Sequence, residues 1–123
     1  MKSKLVLFTL CSIILFSCMK DKDAPVLTIS SPASGATING VVNITGIVTD
    51  KELHQLEITI TKNSDASVLY TKIISVHELT TYNFNETYTP TGITADTDVT
   101  LTIKVEDHVP NITTKIVVFK LVP

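Results

Sequence analysis

The chain has 123 residues and carries 10 Lys and no Arg against 12 Asp and Glu, which gives a formal charge of −2 near neutral pH. A nucleic-acid-binding surface normally presents a basic face with Arg available for bidentate contacts, so this composition excludes that class of function. Aromatic residues make up 6% of the chain and Trp is absent, which argues against a carbohydrate-binding platform of stacked indoles. The length predicts one domain with a single core.

The start of the chain has the organisation of an export signal. Residues 1–4 are basic, and residues 5–16 form an apolar run that is shorter than the ~20 residues a membrane-spanning helix needs. The run ends in Leu15-Phe16-Ser17-Cys18, which resembles the bacterial lipobox, whose cysteine receives a lipid. The alternatives are an ordinary signal peptide or a short membrane anchor that happens to end near a cysteine. The charged run at residues 20–23 favours the lipoprotein interpretation.

Cys18 therefore divides the chain into three predicted parts. These are a lipoprotein signal peptide at residues 1–17, the lipidated Cys18 with a polar tether at residues 18–24, and a folded domain at residues 25–123. We expect acyl chains on Cys18 to hold the protein in the lipid bilayer of the outer membrane, facing the periplasm or the cell surface. Because Cys11 leaves with the signal peptide, the domain has no thiol for a disulfide, a Cys–metal site or a nucleophile.

The remaining chain alternates between apolar and polar residues with a period of two, which is typical of half-buried strands. Seven strands are predicted, at residues 26–30, 41–48, 53–62, 68–76, 81–89, 99–105 and 113–121. Turn signals about every ten residues and the lack of an amphipathic helix predict an all-β fold, a seven-stranded immunoglobulin- or fibronectin-III-like β-sandwich. A small barrel is the alternative. Gly46 in the second strand predicts a bulge or a close approach, and the last strand is apolar on both faces, so its inward face is not predicted.

Two stretches resemble bacterial immunoglobulin-like domains. Residues 25–50 follow the pattern of their opening, in which a Pro and a first strand precede Ser31-Pro32 and a second strand contains Gly46. Residues 103–111 are similar to their closing stretch, a strand that ends in Asp107 and a turn. With the lipobox, the whole chain resembles a small Bacteroidota-type immunoglobulin-like lipoprotein of a family whose function is not established. The resemblance implies a fold and no ligand.

All three His of the chain are predicted to lie at one end of the sandwich. Alternate connections of such a fold share an end, and one His falls at the connection after each of the second, fourth and sixth predicted strands. The candidate metal ligands are these His and the carboxylates beside them: His54, His77, His108, Asp50, Glu52 and Asp107. Imidazole nitrogens favour Zn²⁺ and similar ions, whereas the carboxylates with Asn111 favour Ca²⁺, so the metal is left open. The alternative is that polar loop residues gather wherever loops do.

The predicted function follows from what the sequence offers and lacks. It contains no nucleophile elbow, HExxH motif or phosphate-binding glycine loop, and we predict no catalytic residue. We expect a membrane-anchored, non-enzymatic immunoglobulin-like module that binds a protein or glycan partner or acts as a spacer. The alternative function is binding of a metal or small ligand by the His, Asp and Glu residues. Because the first strand begins at the His-bearing end, we expect that end to lie near the tether.

Overall fold

The computed structural model describes residues 22–123, so the predicted signal peptide, Cys18 and most of the tether lie outside the described residues. Within the described range no helix is long and apolar enough to cross a membrane. The chain there forms eight β-strands: β1 (Val26–Ser31), β2 (Thr37–Asn39), β3 (Val42–Thr49), β4 (Leu53–Lys62), β5 (Val68–Ser75), β6 (Thr81–Tyr88), β7 (Thr97–Asp107) and β8 (Ile112–Val122).

The strands form two sheets that pack as an immunoglobulin-like sandwich, which confirms the predicted fold class. One sheet has the order β1-β3-β6, and the other has the order β2-β8-β7-β4-β5. All neighbouring strands are antiparallel except β2, which pairs with β8 in parallel. The three-residue β2 is the strand that the sequence did not predict, because a segment with one apolar residue, Ile38, is too short to show a period of two.

The inward faces of both sheets form one continuous core. Leu56, Ile58 and Ile60 of β4 and the four aliphatic residues of β7 are fully buried, as their alternation predicts. In β8 the inward residues are Phe119 and Leu121, whereas Ile116 is 63% exposed on the outer face. Burying one such side chain contributes about 1.5–3 kcal/mol, and with no Cys among residues 22–123 this packing has no disulfide to support it.

The side of the sandwich where the edge strands β5 and β6 face each other is closed by polar and aromatic contacts. Lys72 of β5 pairs with the inward-facing residue Ile58 of β4, and its Nζ donates a hydrogen bond of 2.5 Å to Glu86 Oε2 on β6. The rings of Tyr70 and Tyr88 lie beside this bridge with centroids 5.4 Å apart. The hydrogen bond to Glu86 raises the pKa of Lys72, so its ammonium group is charged over the physiological range. It links the two sheets along an edge that the hydrophobic core does not cover.

Gly46 is a close-approach point, one of the two roles predicted for it. It lies in the inward-facing phase of β3, and a Cβ at this position would be 2.2 Å from Thr28 O and 2.3 Å from Phe84 Cζ. The aromatic ring therefore occupies the space that a side chain would need. A register shift in β1, between Ile29 and Ser31, lies directly opposite Gly46.

We expect Gly46→Ala to destabilise the domain by about 2–3 kcal/mol, since the added methyl group must displace both a backbone carbonyl and a core ring. Chemical denaturation followed by circular dichroism measures the loss. Asn43→Ala, an exposed position of the same strand, is the matched control and should change stability by less than about 0.5 kcal/mol. Equal stability of the two variants would show that the core can accommodate the methyl group.

Candidate metal centre

Three neighbouring strands of the five-stranded sheet bring the three His to the same end. His54 is the second residue of β4, His77 follows β5, and His108 follows β7. Since β5, β4 and β7 are adjacent in that order and strands lie about 4.8 Å apart, each His on an outer strand is placed one strand from His54. The predicted gathering of the three His at one end is present in the structure.

His54 occupies a β-bulge. In the pairing of β4 with β7, Leu53 lies opposite Asp107 and Gln55 lies opposite Glu106, so His54 is the extra residue. The buried positions of β4 show the same interruption, because Leu53 and Leu56 are both buried with two residues between them. A bulge bends the strand and changes the direction of the side chain it carries. Because of the bulge, the side chain of His54 does not follow the inward-outward alternation of β4 at the point where the three His meet.

Backbone hydrogen bonds fix the three connections relative to one another. The N–H of Val76 donates to His54 O (3.1 Å), and the N–H of Glu78 donates to Leu53 O (3.0 Å). On the other side of β4, the N–H of His108 donates to Glu52 O at 3.0 Å. The three His are therefore held by a hydrogen-bonded backbone frame. Such a frame positions their side chains more precisely than three independent loops would.

The imidazole rings form a compact triangle. Their centroids are 5.4 Å apart for His54 and His77, 5.9 Å for His54 and His108, and 5.3 Å for His77 and His108. Two strands separated by a third would be about 9.6 Å apart, so the rings of His77 and His108 are closer together than the strands that precede them. One ring nitrogen from each His can be chosen so that all three lie within 4.8 Å of one another.

The spacing of these nitrogens suits a tetrahedral metal site. Zn–N bonds of about 2.0–2.1 Å with tetrahedral angles separate two ligand nitrogens by about 3.3–3.4 Å. The Nδ1 atoms of His54 and His77 are already 3.3 Å apart. A ring nitrogen of His108 lies within 4.8 Å of the other two ligand atoms. All three His are exposed, so an ion can enter directly and keep an open coordination position.

Asp107, a predicted ligand, is not part of this group. Its side chain is 1% exposed and closes the turn after β7. Oδ1 accepts hydrogen bonds from the N–H groups of Val109 (2.9 Å) and Asn111 (2.5 Å), and Oδ2 accepts one from Asn111 Nδ2 at 2.8 Å. Burial alone would raise the pKa of Asp107, but these hydrogen bonds outweigh it and lower the pKa below the ordinary value. The carboxylate is a structural acceptor that shapes the turn carrying His108.

Asp50 and Glu52 also remain outside the group of metal-ligating atoms. Asp50 Oδ1 accepts a hydrogen bond from the N–H of Glu52 at 2.9 Å, which stabilises the turn between β3 and β4. Glu52 contributes its backbone carbonyl, which binds the N–H of His108. The oxygen-rich Ca²⁺ site considered from the sequence is therefore not assembled among the described residues, and the donors that converge are nitrogens.

Glu78 is a carboxylate that the sequence places beside His77 at this end but that was not among the predicted ligands. Its Oε1 lies 3.6 Å from His77 Nε2, on the side of the ring away from the Nδ1 atom that faces His54. The sequence signal was only that an acidic residue follows His77. Nothing in the alternation pattern indicates which of several neighbouring carboxylates would turn toward a ring.

A polar cleft of about 400 Å³ lies at the opposite end of the domain, between the β4–β5 turn and the start of β7. Its lining includes Asn63, Asp96 and Asp98. Asn63 Oδ1 accepts a hydrogen bond from Thr100 Oγ1 at 2.6 Å, and Asp98 lies 3.9 Å from Lys120 Nζ. Asn63 and Asp98 are thus engaged by residues of neighbouring strands, and no set of three converging ligands forms in this cleft within residues 22–123.

Asp107 gives the domain a testable pH dependence. Because its pKa is lowered in the folded protein, its contribution to stability is present above the unfolded-state pKa of about 3.9 and is lost as the pH falls through the folded-state value. We expect Asp107→Asn to destabilise the domain by about 2 kcal/mol at pH 7 and by clearly less near pH 3. Urea unfolding at both pH values measures this. An equal loss at both would show that packing, and not the ionised carboxylate, is what matters.

Comparison with known proteins supports the fold and leaves the function open. No protein-family model and no curated protein matches the chain. The crystal structure of an engineered protein is similar over 80% of this chain, with a TM-score of 0.58 and 15% identity, and the chain spans only 20% of that protein's length. Murine CRIg matches over 80% of this chain and 97% of its own, with a TM-score of 0.45 and 13% identity. At such identity the engineered protein shows a common fold alone.

Proposed function

We propose that this protein is a lipid-anchored, non-enzymatic immunoglobulin-like module that binds a divalent transition-metal ion through His54, His77 and His108. The observation that carries the metal site is the triangle of imidazoles, with two Nδ1 atoms 3.3 Å apart. Three His with an open fourth position is an arrangement that binds Zn²⁺ in proteins. The geometry thus favours the metal-binding alternative over a role as a spacer alone.

The donor set indicates which class of ion is bound. Neutral imidazole suits Zn²⁺, Cu²⁺ and Ni²⁺, whereas Ca²⁺ and Mg²⁺ require several oxygen ligands. The predicted oxygen ligands Asp50 and Asp107 accept hydrogen bonds within their own turns. We therefore assign the centre to a transition metal and not to Ca²⁺.

Contacts of the chain before β1 support an orientation in which this centre faces the anchor. Asn111 Nδ2 donates to Asp23 O at 3.3 Å, and Lys51 Nζ lies 3.8 Å from Asp23 Oδ2. Asn111 and Lys51 belong to the turns around the His triangle. From Asp23 to the proposed lipid on Cys18 the chain can span at most about 18 Å, at about 3.6 Å per residue. A lipid at Cys18 would therefore keep the metal-binding end close to the headgroups.

The metal site is tested by thermal unfolding with Zn²⁺. At a free concentration one hundred times the Kd, binding stabilises the native state by about 2.7 kcal/mol, which corresponds to a rise in Tm of roughly 10 °C or more. Ca²⁺ should cause no rise, and the Zn²⁺ effect should fade below about pH 6 because protonated imidazole cannot bind a metal. His54→Ala, His77→Ala and His108→Ala should each remove most of the shift.

Gln55→Ala, next to His54 on the same strand, is the matched control and should retain the full shift. Titration calorimetry at pH 7.5 supplies the independent measurement. A Kd weaker than about 100 μM for Zn²⁺ and for Cu²⁺ would contradict the proposed metal site.

The anchor is tested separately in cells. Metabolic labelling with palmitate should mark the wild-type protein, and Cys18→Ala should lose both the label and retention in the membrane fraction. Cys11→Ala is the control, since this residue lies inside the predicted signal peptide and should not alter the label. A Cys18→Ala protein that still partitions into detergent would refute lipid attachment at this residue.

A further inference from the structure

Each of the two ring nitrogens of His77 has a polar atom near it. Its Nδ1 faces His54 Nδ1 at 3.3 Å, and its Nε2 faces Glu78 Oε1 at 3.6 Å. One ring nitrogen is thus directed at the proposed metal position and the other at a carboxylate. From this arrangement we infer that Glu78 is a positioning residue that holds His77 in the orientation and tautomer needed to bind the metal through Nδ1. This inference rests on the proposed metal centre.

The protonation of neutral imidazole determines which nitrogen of His77 can bind a metal. Such a ring carries one N–H and one lone pair, and a metal can bind only the nitrogen that has the lone pair. A carboxylate beside Nε2 favours the tautomer with the proton on Nε2, which leaves Nδ1 of His77 free to coordinate. Carboxylates in this outer position are common around metal-binding His, and they increase the basicity of the ligand. A bound cation would in turn polarise the Nε2–H group and shorten its contact with Glu78.

The backbone of Glu78 provides a second, independent observation. Its φ is +64°, a left-handed conformation that favours Gly and is uncommon for Glu. The N–H of Glu78 donates to Leu53 O, and the N–H of Leu79 donates to Val76 O, so the turn is held in this conformation from both sides. Strained positions of this kind cluster at binding sites. Here the strained residue is the one whose carboxylate contacts a proposed ligand.

The test compares Zn²⁺ affinity among variants of the full domain by titration calorimetry. Glu78→Ala removes the acceptor and should weaken binding by about tenfold or more. Glu78→Gln keeps an acceptor oxygen without the charge and should lie between Glu78→Ala and wild type. Glu57→Ala removes an equal charge three residues along β4 from His54 and should bind like wild type. Ala66→Gly relaxes the other non-Gly residue with positive φ, at 60°, and should also leave affinity unchanged.

Nitrogen-15 NMR of the His rings separates positioning from a general structural role. In the wild-type protein His77 should carry its proton on Nε2 before Zn²⁺ is added and should show a metal-bound Nδ1 afterwards. In Glu78→Ala the metal-free ring should become a mixture of tautomers. Glu78→Ala with wild-type affinity and an unchanged His77 tautomer would overturn the role of Glu78 and leave the metal site standing. If wild type itself binds no Zn²⁺, both proposals fail.

Discussion

The position of β4 between β5 and β7 is the constraint on which the candidate metal centre depends. Strand spacing fixes how close residues at the ends of adjacent strands can come, and here it sets the scale of the His triangle. The bulge at His54 then changes the direction of one side chain without disturbing the pairing of the strands below it. The buried aliphatic residues of β4 and β7 hold both strands in register, so the core of the sandwich also determines the geometry of its end.

The fold and the location of the site could be read from the sequence because both follow from periodicity and connectivity. The alternation in β4 and β7 gave their buried faces, and the order of strands along the chain placed alternate connections together. The spacing of Leu53 and Leu56, three residues apart before a strict period of two, was a signal of the bulge that could have been used. The outer face of β8 could not be assigned, because Ile116 is apolar and yet lies exposed.

The details of the site depend on how turns close, and sequence patterns do not describe this. Asp107 looked like a ligand because it lies next to His108, but the turn that follows β7 folds back over its carboxylate and supplies three hydrogen bonds. Glu78 was one of several carboxylates at this end. Its backbone has a left-handed conformation, and the hydrogen bonds that hold the turn in this shape involve both the neighbouring strand and the turn itself.

The bridge between Lys72 and Glu86 has a consequence for how the protein behaves when many copies are crowded together. At high local density, the exposed edges of sheets are places where chains can join into larger assemblies. An ammonium group that faces inward on the edge strand β5 makes such joining costly, because a neighbouring strand would have to bury that charge or pull it from Glu86. The bridge therefore favours separate molecules at high protein concentration.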